Sequence, residues 1–160
     1  MSDYDRVASY FGRCYIVENR PTSLAEKNKN WRSLSAILPE KAISLREFLE
    51  TTNVILEGGN LDYCVHFCPA VITDLRLLFN GRLSDDSILF MTVSNHSFAQ
   101  VLSNEYINLG YNWQDINTLV KSLAALSGYK ITNLEEDVNL SYRSGKYTML
   151  TFGWHVKRKK

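Results

Sequence analysis

Cysteine is scarce in this chain. Its three copies, Cys14, Cys64 and Cys68, are too few and too irregularly placed for a disulfide framework. Cys64 and Cys68 lie alongside each other on one strand and cannot readily bond, so reduced thiols in a cytoplasmic setting are expected. Long apolar runs are missing too. No stretch approaches the ~20 apolar residues of a membrane span. The start, Met1-Ser2-Asp3-Tyr4-Asp5-Arg6, is polar and acidic, so neither membrane insertion nor secretion is expected.

A charge excess is also absent. The formal net charge is +1, and without Lys157, Arg158, Lys159 and Lys160 the remainder sits near −3. A nucleic-acid binder usually has a basic body, so nucleic acid is disfavoured as a partner. Residues 157–160 are expected to be a frayed basic tail on one globular domain, 1–156.

The eight glycines form no Gly-x-Gly-x-x-Gly, and Gly58-Gly59 lacks the Lys-Ser/Thr of a phosphate loop and reads as a helix stop. Gly-x-Ser-x-Gly and His-Glu-x-x-His are missing as well. No cofactor is implied.

What is present is a good core composition, 45% apolar and 22% charged. Leu61 to Phe79 organises the chain. Leu61, Tyr63, Val65 and Phe67 alternate with Asp62, Cys64, His66 and Cys68, the period of a half-buried strand. At Pro69 the period becomes helical, with Ile72, Leu75, Leu78 and Phe79 on one stripe and Asn80-Gly81 as the stop. Ile88 to Val93 is a continuous apolar run, read as a central strand covered on both faces.

Asn112-Trp113-Gln114-Asp115 opens a helix with Trp113, Ile116, Leu119, Val120, Leu123 and Leu126 on one stripe. Capping boxes at Ser23, Ser44 and Ser97 open further helices, and Tyr4, Val7 and Phe11 suggest a first one. Cys14 to Val17 reads as a short strand. After Tyr129 to Thr132, a turn at Ser144-Gly145 joins two strands in a hairpin that sets Tyr142 opposite Tyr147, both arms burying one face. The fold class is α+β: a single mixed sheet with helices packed on it and a C-terminal hairpin.

Three constellations suggest chemistry. If the strands ending at Cys68 and Val93 are parallel neighbours, Cys68 at a helix N-terminus meets His96, which suits a cysteine-dependent hydrolase or transferase. A zinc site at Cys64, His66 and Cys68 fails on reach, because the outer two are ~13 Å apart on a strand and zinc ligands bind at ~2.3 Å; no metal is expected. Trp31 among Lys27, Lys29 and Arg32 is the nearest thing to a basic aromatic surface, the alternative of a weak nucleic-acid binder.

With no assembled catalytic set, the leading expectation is a non-catalytic binding domain. It would be an inhibitor or immunity-type protein that neutralises another protein. Tyr106, Tyr111 and Trp113 cluster on one interhelical loop and form its candidate contact surface.

Overall fold

A computed structural model describes residues 14–15, 36–37, 42–95, 103–134 and 140–160. The chain divides into two compact units, Met1–Thr52 and Asn53–Lys160. In the first, β1 (Cys14–Tyr15) pairs in parallel with β2 (Ala36–Ile37), and α1 spans Leu45–Thr51. The Ser44 hydroxyl caps α1 by accepting from the Glu47 amide at 3.1 Å, as its spacing predicts. The helix expected near residues 3–11 lies outside the described residues, as does Trp31; of the helix expected to run from Ser23 toward Ile37, only Ala36–Ile37 is described, and it is a strand.

The second unit is a mixed five-stranded sheet with two α-helices, an α+β fold. β3 (Leu56–His66), α2 (Pro69–Phe79) and β4 (Leu83–Ser94) form a parallel strand–helix–strand unit. α3 (Trp113–Leu126) leads to β5 (Tyr129–Asn133), and β6 (Leu140–Ser144) turns into β7 (Tyr147–Arg158). The order is β3-β4-β7-β5, with β6 on the same edge of β7 as β5. The neighbours of β7 all run antiparallel to it. The parallel pairing across α2, on which the meeting of Cys68 and His96 is conditional, is therefore present.

Both helices cover one face. Trp113 of α3 stacks on Phe152 at 5.2 Å, Phe152 stacks on Trp154 at 5.2 Å, and Phe79 of α2 meets Tyr129 at 6.1 Å. Leu89, Met91 and Val93 of β4 point into this core with Leu150, Phe152, Trp154 and Val156 of β7, and all are buried. Two buried polar groups find partners: the Trp154 indole donates to Asn117 Oδ1 at 2.7 Å, and Tyr129 Oη donates to the Leu83 carbonyl at 2.8 Å.

Four sequence expectations need correction. β4 lies inside the sheet but is covered on one face only: Ile88 is 43% and Phe90 44% exposed. Gly58-Gly59 is no helix stop; it lies within β3, where a Cβ on Gly58 would sit 2.6 Å from the Ile88 carbonyl oxygen. The hairpin turns at Gly145-Lys146, so Ser144 faces Tyr147 and Tyr142 faces Met149, with Tyr142 52% exposed rather than buried. A positive φ of 60° at Gly145 places that turn. Lys157 and Arg158 belong to β7, and the Lys159 amide donates to the Gly128 carbonyl at 2.8 Å, so the tail is pinned rather than frayed. No helix among the described residues is long and apolar enough to cross a membrane.

Candidate functional site

In open α/β sheets, ligands bind beyond the carboxyl ends of parallel strands. Here that edge is where β3 and β4 end, and His66 pairs with Ser94 across it. Both are only 4% exposed, unusual for polar side chains. The register slips by two residues between Asp62 and His66.

His66 Nε2 lies 2.6 Å from the Tyr106 carbonyl oxygen. A carbonyl only accepts, so Nε2 carries the hydrogen and donates. Tyr106 closes a single 3-10 turn, Asn104–Tyr106, and the Leu109 amide donates to the Phe67 carbonyl at 3.3 Å. The Tyr111 ring lies 6.1 Å from that of Phe67. The segment from Asn104 to Tyr111 therefore lies over the end of β3, held by a histidine from inside. On the β4 side, the Asn95 amide donates to the Thr148 carbonyl at 2.7 Å; on β3, Tyr63 Oη donates to Asp74 Oδ2 at 3.0 Å, in the middle of α2.

Cys68 stands at the N-cap of α2, as expected, but it is fully buried. Burial pushes its thiol above the ordinary value; the first-turn amides at Val71 and Ala70 oppose this, and the carboxylates of Asp74 and Glu105 add to it. At neutral pH Cys68 is a protonated, sealed thiol, the opposite of what a nucleophile needs. His96 lies outside the described residues.

Of the three aromatics expected to form a contact surface, Tyr106 and Tyr111 are 43% and 39% exposed. Trp113 is buried, stacked on Phe152, with its indole donating to the Thr151 carbonyl at 2.9 Å. Sequence reasoning passed over the His66–Tyr106 bond and Ser94. The one available signal was a histidine at the end of the strand that leads into Pro69.

No known protein family matches the sequence, and no curated protein is similar to it. Solved structures do match. TYW2 of M. jannaschii in complex with AdoMet aligns with a TM-score of 0.57 at 14% identity, covering 94% of this chain and 60% of that one. The fibrillarin pre-rRNA processing protein of Methanococcus jannaschii gives 0.54 at 12% identity, covering 92% and 57%. A candidate S-adenosylmethionine-dependent methyltransferase from Listeria monocytogenes gives 0.53 at 10%, covering 93% and 81%. The likeness is one of fold. This chain spans about three-fifths of the length of the two archaeal proteins.

The expectations of a non-catalytic inhibitor or immunity-type protein, with another protein as partner, are overturned by this likeness: the solved structures that share the fold include a complex with AdoMet and a candidate methyltransferase. The exclusion of nucleic acid falls with them, since one neighbour is a pre-rRNA processing protein.

S-adenosylmethionine needs an approachable strand-to-helix turn and acceptors for its hydroxyl and amino groups. The described edge does not fit it. Phe67 and Cys68, 2% and 0% exposed, seal a turn that contains no glycine, and β4 ends in Ser94-Asn95 without a carboxylate. The glycine pair of β3 lies near the other end of the strand, close against the backbone of β4.

Proposed function

We propose that this chain is a domain of an S-adenosylmethionine-dependent methyltransferase in which the carboxyl edge of β3 and β4 forms the acceptor side of the site. The observation that carries this is the shared fold, which extends over 94%, 92% and 93% of the chain in three solved structures. Tyr106 and Tyr111, half exposed over the end of β3, line the acceptor side, and His66 is a positioning residue that holds the Tyr106 backbone there. The cytoplasm is the compartment we assign, and the free thiol of Cys68 supports it.

Calorimetric titration of the full chain with S-adenosylmethionine tests the proposal. Saturable binding is expected, competed by S-adenosylhomocysteine. At about a hundredfold excess over Kd it should raise Tm by roughly 5–10 °C. No heat and no thermal shift at saturating ligand would sink the assignment.

A further inference from the structure

Neither α2 nor α3 covers the second face of the sheet. Four half-exposed apolar side chains lie on it. Phe90 and Leu134 lean over Gly153, with Phe90 Cε1 and Leu134 Cδ1 3.1 Å and 3.3 Å from where a Cβ would stand. Ile88, two residues before Phe90, is 43% exposed, Leu134 44%, and Tyr142 on β6 52%.

Toward the far end of β7 the same face turns basic. Lys130 lies directly opposite Lys157 in the β5–β7 ladder, both exposed, and exposed Lys159 follows two residues on. Like charges facing each other across strands are destabilising unless an anion lies between or above them. Asp86, bonded to His155 and 3.8 Å from Lys157, offsets part of this charge. Another carboxylate among the described residues, Asp62, sits across from Thr92 on β3, toward the opposite end. The backbone bond from Lys159 to the Gly128 carbonyl fixes the strip in place.

We propose that this face binds single-stranded RNA, with phosphates on Lys130, Lys157 and Lys159 and bases stacked on Phe90 and Tyr142. Lysine is depleted at protein–protein interfaces, and a basic groove floored by aromatics is the arrangement that holds unpaired bases. A duplex hides the base faces that Phe90 would meet. A membrane calls for protruding apolar side chains, whereas Phe90 leans over Gly153, with Cε1 and Cδ1 3.1 Å and 3.3 Å from where a Cβ would stand.

The direction of the track also fits. From Lys157 to Met149, β7 runs about 27 Å at ~3.4 Å per residue. It starts beside Asp86 and ends beside Ser94, so a strand laid along it reaches the edge held by His66. This names the substrate class of the proposed methyltransferase and rests on that assignment for its role, while the binding stands by itself.

Fluorescence anisotropy of a labelled short oligouridylate with the full chain, without cofactor, tests it. Binding should weaken steeply from about 50 to 200 mM salt, and Lys130→Gln should lower the slope of log K against log salt by about 0.7. Phe90→Ala should weaken binding about ten- to a hundredfold at unchanged slope. Phe90→Leu, which keeps an apolar cover over Gly153, should lose as much with an unchanged Tm. Equal affinity for duplex RNA, unchanged binding by a folded Phe90→Leu variant, or binding to phosphatidylserine vesicles alone would overturn the proposal. Oligonucleotide binding without S-adenosylmethionine binding would overturn the methyltransferase assignment and leave this face standing; the converse would do the reverse.

Discussion

Gly58 and Gly59 are adjacent, yet they lack a side chain under different constraints. At Gly58 a methyl group would press into the Ile88 backbone at 2.6 Å, and a backbone atom in a sheet interior has little room to move. At Gly59 it would meet only Leu89 Cδ1 at 3.4 Å and Leu61 Cδ2 at 3.9 Å. Gly58→Ala should therefore destabilise by about 1–3 kcal/mol, lowering Tm by roughly 2–12 °C. Gly59→Ala should fall within about 0.5 kcal/mol of the parent. Thermal denaturation of the two variants side by side checks this; equal losses would refute the contact with β4. From sequence the pair looked like a helix stop, because a glycine's reason for being there depends on what approaches it in space. His66 teaches the same lesson: the strand and its end were legible, but its carbonyl partner lies 40 residues on.

The element most fully written in the sequence is α3. Asn112 Oδ1 accepts from the Asp115 amide at 2.8 Å, and Asp115 Oδ2 accepts from the Asn112 amide at 3.1 Å, the reciprocal cap that its spacing predicts. Ile116, Val120 and Leu123 then bury at helical spacing, and Gly128, at φ 83°, ends the turn. Asn112→Ala should cost about 1 kcal/mol, or roughly 2–4 °C in Tm, while Asn112→Ser should retain most of the stability. Urea titrations followed by circular dichroism would show it as a fall in midpoint without a change in m. α2 was equally legible, since Pro69 and Gly81 bracket it. The hairpin was legible as an element but not in register. Ser144, Gly145 and Lys146 offer two adjacent turn positions, and moving the turn by one residue shifts the pairing by two while keeping every side chain on its face.

At the scale of the whole molecule, the sheet is closed on one face by helices and tied at its far end by charge. The hydrogen bond from His155 holds the Asp86 carboxyl below its usual value, and Lys157 adds to this. A depressed carboxylate stabilises the fold above the unfolded-state value of about 3.9, and that contribution is lost as pH falls through the lower folded value. Asp86→Asn should therefore flatten the decline of Tm below about pH 4, with little change at pH 7 in high salt. An unchanged acid limb would show that this exposed cluster has no energetic role.

The chain by itself determined the change of period at Pro69, the span of α3 and the α+β class. Each follows from side chains a few residues apart, which set hydrophobic spacing, caps and turns without help from elsewhere. Tertiary structure alone decided that β4 is bare on one face, that Cys68 is sealed, that Trp113 points inward and that the lysine tail is pinned to the end of α3. Those outcomes depend on which distant segments meet, and periodicity records that a face is apolar without recording what covers it.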